Sequence, residues 1–392
     1  MNIGTKPKIV LLGMMTKMPV AGVVWQTVHY LIGLQRLGYE PWYVEAHART
    51  PSMFMKTEQD DGSRLASNFI ADVMRRFDLA DRWAYHALHD DGAVYGMTEN
   101  ALNELYKSAA MIINLHGGTQ PRPEHYATNR LIYLETDPVL LQIELFQKDQ
   151  YAIDFLSPHI AFFTFGENIG RPDCKLPVSE RFPFKPTRQP VVTDLWQKLG
   201  IAPGANWTTI GNWQQEWRPV HFQGETYHWS KHYEFMKCID LPSRTKASFE
   251  LALASYGPDD QKMLESKGWN VTPALDFSTD LDAYRGYIAG SHGEFTVAKD
   301  QNVRLRSGWF SDRSATYLAA GRPVITQDTG FGNMLPTGKG LFAFTDTDQI
   351  VDAIQRVESD YEGNCRAAAD LAQDHFNYDV VLKPILREVG LS

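Results

Sequence analysis

The stretch GWFSDRSATYLAAGRPVITQDTGFG, residues 308–332, sets hydroxyl, cationic and glycine residues at spacings that suit an anion. Ser311 stands at the N-cap position of a short helix in which Ala315, Leu318 and Ala319 share one face; Gly321 ends it and Pro323 forbids its continuation. The first amides of a helix have no intrahelical partner and carry the positive end of its dipole. With Arg313 and the hydroxyls of Ser311 and Ser314 beside those amides, a phosphate fits there. The strand PVITQ then delivers a second turn, DTGFG, where Gly330 allows close backbone approach and Asp328 or Thr329 offers a contact for a ribose hydroxyl. The alternative is an ordinary helix–strand unit whose glycines serve packing alone.

Three further groups sit where apolar runs give way to polar loops: His116 in NLHGGT, Asp137 in LETDP and Glu167 in FGENIG. Asp137 is held extended by the proline after it and is expected to act as a general base; its other reading is a cap for the helix VLLQIEL. His116 is expected to touch a bound ligand, or else to be structural. Glu167 and Asn168 either bind polar groups of a ligand or cap a helix. The segment 211–235, GNWQQEWRPVHFQGETYHWSKHYEF, reads as an aromatic wall for a base or sugar, with Asn212 reaching the same ligand, or as a structured loop. His228 and His232 have the spacing of two metal ligands on a helix, yet no third is set by spacing, and the TDTD of 345–348 fits a helix cap; no metal is expected.

These residues need a frame. KIVLLGMM (8–15), MIINLHGG (111–118), LIYLETDP (131–138) and HIAFFTFGENIG (159–170) are apolar runs capped by polar or Gly-rich turns, the pattern of a buried parallel sheet with working loops at its strand ends. Between the first two lies a helix in which Val24, Val28, Leu31, Leu34 and Leu37 recur at helical spacing up to Gly38. Residues 177–192, PVSERFPFKPTRQPVV, hold four prolines; the stretch must be extended and cannot enter a sheet centrally, so it reads as a linker. A second alternating set follows from NWTTIGNW (206–213) to the helix of 346–360, and the tail reads as a last short helix interrupted at Pro384. The expected organisation is α/β, with two Rossmann-like domains facing each other across a cleft: 1–185, 186–370, and a closing helix in 371–392 placed against the first domain.

The 392 residues are 43% hydrophobic and 22% charged, with no biased tract. A net charge of −9 opposes a phosphate backbone or an anionic membrane, so nucleic acid is not an expected partner. No apolar run is long enough to span a bilayer, and KPKIVLLGMM fits a first buried strand better than a signal peptide. Cys174, Cys238 and Cys365 are few and dispersed, as in a reducing cytoplasm.

The run from Ser311 through the G-R-P-V-I-T break to D-T-G-F-G, with GEFTVAK (293–299) ahead of it, resembles the donor-binding segment of GT-B fold glycosyltransferases. That resemblance implies a nucleotide sugar on the C-terminal domain, with Lys299 as the basic residue near the diphosphate. It also implies an acceptor on the N-terminal domain near the loop ending at Gly22, with His116 touching the sugar or the acceptor and Glu167 and Asn168 binding polar acceptor groups. The nucleotide sugar is then a co-substrate and no cofactor or metal is needed. Many retaining members carry two glutamates before the break; their places here hold Gly308 and Thr316, which leaves the ribose contact and the stereochemical outcome open. Two other functions fit the same architecture: a nucleotide-sugar epimerase and a non-catalytic two-domain binder. The oligomeric state is not legible.

Overall fold

The computed structural model describes residues 6–197, 199–215 and 219–391. The N-terminal half builds an eight-stranded sheet from β1 (Lys8–Leu12), β2 (Glu40–Glu45), β3 (Trp83–His86), β4 (Val94–Tyr95), β5 (Met111–Leu115), β6 (Leu131–Glu135), β7 (Ala161–Thr164) and β8 (Phe184–Pro186). The order is β4-β3-β2-β1-β5-β6-β7-β8, and every neighbouring pair is parallel except β3 with β4. The strands that read as continuous apolar runs are the central ones: β5 and β6 are buried at every residue and β1 at all but its first. Burial on both faces is what a parallel sheet covered by helices requires.

The C-terminal half repeats the plan with β9 (Asn206–Asn212), the hairpin β10 (Val220–Phe222) and β11 (Glu225–Tyr227), then β12 (Ser248–Ala254), β13 (Asn270–Pro273), β14 (Gly293–Thr296), β15 (Val324–Gln327) and β16 (Leu341–Phe344). Its six-stranded sheet is parallel throughout, in the order β13-β12-β9-β14-β15-β16, and the hairpin stands apart. Strand order reverses between β1 and β5 in one sheet and between β9 and β14 in the other. Loops beyond the carboxyl ends at such switch points bound a ligand crevice.

The expected fold class is therefore the observed one. Two details differ from the sequence reading. Part of the proline-rich 177–192 stretch joins the first sheet as its edge strand β8, a position that tolerates missing amide donors. The last helix, Tyr378–Glu388, runs unbroken through Pro384. Proline there frees only the carbonyl four residues back, at exposed Val380, while Val381, Leu382, Ile385 and Leu386 keep one apolar face buried.

One apolar core runs through both halves, from Ile9 and Trp25 to Phe310, Leu318 and Phe376. Trp25 of helix Ala21–Arg36 donates to the Leu281 carbonyl at 3.2 Å, and Val191 exchanges backbone hydrogen bonds with Phe376 and Tyr378 at 2.7 and 2.9 Å. At Gly33 the last helix comes so close that a Cβ would lie 2.7 Å from Leu382 Cδ1 and 2.8 Å from Tyr378 Cβ.

Candidate functional site

β6 releases the chain into Thr136, Asp137 and Pro138, and β14 releases it into Val297, Ala298 and Lys299, so two loops from different sheets meet. Lys299 Nζ donates to Asp137 Oδ1 at 2.8 Å, and Trp309 Nε1 donates to the Thr136 carbonyl at 3.0 Å. The Lys299 ammonium lies 3.1 Å from the Trp229 ring centroid, a cation–π contact, and 5.9 Å from that of Trp309. Asp137 and Lys299 thus sit across one crevice in direct contact.

His116 follows β5 in the left-handed region, φ 65°, an uncommon conformation for a non-glycine residue. Its Nδ1 lies 2.9 Å from Thr136 Oγ1, and its buried Nε2 has no partner among the described residues. Burial pushes its pKa down to about 4; Asp137 opposes that shift and Lys17 adds to it, so the ring is neutral at pH 7. The loop after β1 is held by Glu45, fully buried, which accepts from the Thr16 amide at 2.9 Å and from the hydroxyls of Thr16 and Tyr43; His47 Nε2 is 2.8 Å away. That anchor places Lys17, whose ammonium donates to the Gly118 carbonyl at 3.2 Å.

Beneath Asp137 lies Glu135, 1% exposed, which accepts from Gln142 Nε2 at 3.1 and 3.0 Å and from the Thr164 hydroxyl at 2.5 Å. Burial pushes its carboxyl up to about 8; the two donors oppose the rise and Asp137 adds to it.

Lys231 was not singled out from the sequence. It precedes the short helix His232–Met236, and its ammonium has no hydrogen bond or ion pair among the described residues. Burial lowers its pKa well below the usual lysine range, and the charges of Arg313 and Lys299 lower it further, against Glu294 and Asp312. The sequence signal was a lysine at a helix start inside the aromatic 211–235 stretch, where the histidines drew attention instead. Residues 216–218 of that wall lie outside the described residues. His228 and His232 each pack on Tyr233, with ring centroids 4.3 and 3.9 Å away, and no group of three or more His, Cys, Asp or Glu arranged for a metal occurs among the described residues.

The helix Asp312–Ala319 forms as read, but its start is not an open anion site. Ser311 takes the N-cap position without a side-chain capping bond, Ser311 and Ser314 are buried, and the Ser311 carbonyl accepts from Gln189 Nε2 at 2.9 Å. The hollow beside them, bounded by Gly22, Gln189, Asp312 and Arg313, holds about 10 Å³, room for at most a water. Arg313 turns inward: Nε donates to Glu294 Oε1 at 2.6 Å, Nη1 to the Ile210 carbonyl at 2.5 Å and Nη2 to Thr296 Oγ1 at 3.1 Å. Glu294 is wholly buried and needs that countercharge, so Arg313 secures β9 to β14 and its nitrogens do not face a phosphate. Ser314 Oγ is left buried without a partner among the described residues.

The DTGFG turn is likewise engaged within the protein. Asp328 accepts from Arg306 Nη1 at 2.9 Å and from the Gly330 amide at 2.8 Å, and Thr329 Oγ1 donates to the Trp309 carbonyl at 2.6 Å. What approaches Gly330 is Asn168: a Cβ there would lie 2.7 Å from Asn168 Nδ2, and one on Gly308 would lie 2.3 Å from the Asn168 backbone nitrogen. Asn168 is buried, its amide donates to the Ser307 carbonyl at 3.1 Å, and its Nδ2 donates to the Arg306 carbonyl at 2.9 Å. Glu167 accepts from Arg188 Nη2 at 2.6 Å. Glu167 and Asn168 therefore tie a first-sheet loop to its surroundings. Gly22 lies in the first turn of helix Ala21–Arg36, its Cβ position 3.4 Å from Tyr284 Oη, and Asn212 accepts from Ser255 Oγ at 3.2 Å at the end of β9. Gly308, φ 81°, has no space for a side chain, and Thr316 donates back to the Arg313 carbonyl at 2.7 Å.

No family model and no curated protein matches the chain. Solved structures do. Anabaena HepE in complex with UDP and glucose is similar over 98% of this chain and 99% of that one, with 13% identity and a TM-score of 0.54. An alpha-glucosyltransferase in complex with UDP covers 98% and 99%, with 9% identity and a TM-score of 0.60. The alpha-glucosyltransferase in complex with UDP and a 13-mer DNA containing a central A:G mismatch covers 99% and 100%, with 11% identity and a TM-score of 0.60. These likenesses establish the fold: two Rossmann-like lobes in the GT-B arrangement.

Proposed function

We propose that this GT-B fold chain is a metal-independent glycosyltransferase, moving a sugar from a nucleoside-diphosphate sugar to a hydroxyl or other nucleophile of an acceptor. The observation that carries this reading is the meeting of Lys299, from a loop of the second sheet, with Asp137 from the first, with Lys231 close enough to Lys299, and His116 to Asp137, for their charges to act on one another. As the bond from sugar to diphosphate breaks, negative charge builds on the leaving group, and two ammonium groups in a partly dehydrated crevice stabilise it. A diphosphate that engages Lys299 competes with Asp137 for it. The released carboxylate is then placed to take a proton from the acceptor. Neutral His116, with Nε2 unpaired, suits a hydrogen bond to a sugar hydroxyl.

The nucleotide sugar is a co-substrate, and no resident cofactor is required. The similar structures hold UDP, which makes UDP-glucose the first probe. A net charge of −9 disfavours a nucleic-acid acceptor in this chain, although one similar protein was solved with DNA. No helix among the described residues is long and apolar enough to cross a membrane, and Cys174, Cys238 and Cys365 are free, which suits a reducing compartment.

The test is release of UDP from UDP-glucose in the presence of a panel of saccharide acceptors, followed in the chain and in Lys299→Ala. Acceptor-dependent release that the substitution abolishes is expected. Interconversion of sugar epimers without release would favour an epimerase, and UDP binding with no turnover of UDP, GDP or TDP sugars would favour a binding protein.

A further inference from the structure

A second cavity opens at the other end of the C-terminal sheet, where β9 and β12 begin. It measures about 1000 Å³, the upper range of small-molecule sites, and its wall includes Trp207, Lys246, Ser248, Gln355 and Glu358. β9 runs seven residues from here to Asn212, so the cavity lies roughly 20 Å from the crevice at about 3.3 Å per residue. Nothing in the proposed transfer uses it.

Its floor holds an unanswered donor. Trp207 is 1% exposed and its Nε1 has no acceptor among the described residues. The ring's orientation follows from Gly293: a Cβ there would lie 2.5 Å from Trp207 Cζ3 and 2.9 Å from Cε3, so that edge faces β14. The opposite edge, which carries Nε1, is turned away from β14, and the start of β12, the neighbouring strand on the other side of β9, lines the cavity with Ala247 and Ser248. A buried N–H without a partner is uncommon and calls for an acceptor.

The rim supplies complementary groups. Lys246 is exposed and has no ion-pair partner among the described residues. Arg244 donates from Nη2 to Asp348 Oδ1 at 2.5 Å, its one hydrogen bond among the described residues. Glu358 receives His292 Nε2 at 2.7 Å on Oε1, which leaves Oε2 for another donor. Two cations on one side suit a phosphate; a carboxylate and the Gln355 amide on the other suit vicinal hydroxyls.

We propose that this cavity is a second ligand site, separate from the crevice, for a small hydroxylated phosphomonoester of the hexose phosphate class. The phosphate meets Lys246 and Arg244, and a ligand oxygen accepts from Trp207 Nε1.

The experiment is calorimetric titration of the full chain with glucose 6-phosphate, glucose and inorganic phosphate, each with and without saturating UDP. Saturable binding of glucose 6-phosphate is expected, stronger than that of either fragment and unaffected by UDP. Lys246→Glu should weaken it at least about tenfold, about 1.4 kcal/mol, and Trp207→Phe should weaken it while leaving UDP affinity unchanged. Ser248→Trp, which fills the cavity from its edge, should abolish it. No saturable binding at millimolar concentration, competition by UDP, equal binding of phosphate alone, or full affinity in Lys246→Glu would each overturn the proposal.

Discussion

Single residues set the chemistry of the crevice, and Lys231 shows how function and stability oppose each other there. A buried ammonium beside two other cations, with no partner among the described residues, is unfavourable for the fold and favourable for an incoming anion. Lys231→Met should therefore raise the melting temperature by about a degree, for roughly 1 kcal/mol, while weakening UDP binding about 10- to 100-fold. Scanning calorimetry and titration check the two halves; a variant that loses stability and keeps affinity would refute the assignment. Glu135 gives a pH signature. Its carboxyl titrates near about 8 in the fold and near 4.5 when unfolded, so between those values the folded chain holds more protons. The stability it contributes is complete below about 4.5 and is lost as pH rises through about 8, by about 1.4 kcal/mol per unit in between. In urea titrations at about pH 5 and about pH 7.5, the chain should lose stability relative to Glu135→Gln as pH rises; parallel behaviour would refute the raised value.

At the scale of elements, the strands were legible and the turn that follows them was only half so. Runs such as MIINL and LIYLE can be buried on both faces only in a covered parallel sheet, and they occupy its centre. The helix start at Ser311 was also legible, but its exposure was not. Helical spacing says nothing of what packs over an N-terminus, and the buried Glu294 that draws Arg313 inward lies in an earlier strand. The contacts of Asn168 and Glu167 were not legible for the same reason, since their partners Ser307 and Arg188 are distant in sequence and adjacent only after folding. Gly308 carries the local consequence. Alanine there must adopt φ 81° and place its Cβ 2.3 Å from the Asn168 nitrogen. Gly308→Ala should cost at least about 2 kcal/mol in denaturant unfolding; a near-neutral result would show that the loop after β7 yields.

Over the whole molecule, the crevice is spanned by its own ion pair. Asp137 and Lys299 neutralise each other across it, 41% and 12% exposed at the side chain, and the proposed diphosphate would take Lys299 from that pairing. Asp137→Asn should accordingly bind UDP at least as tightly as the unaltered chain while losing nearly all acceptor-dependent turnover. Weaker UDP binding together with retained turnover would remove Asp137 from the proposed chemistry. The crevice itself was foreseeable from alternating strand and helix runs. Its bridging pair was not, because the two members lie far apart in the chain and only the facing of two sheets brings them together.

Asn168 is lodged between two glycines that each hold a positive φ, Gly308 and Gly330. The first of the pair admits nothing larger than hydrogen without moving the Asn168 backbone, so the two loops keep their mutual fit only while that position stays glycine.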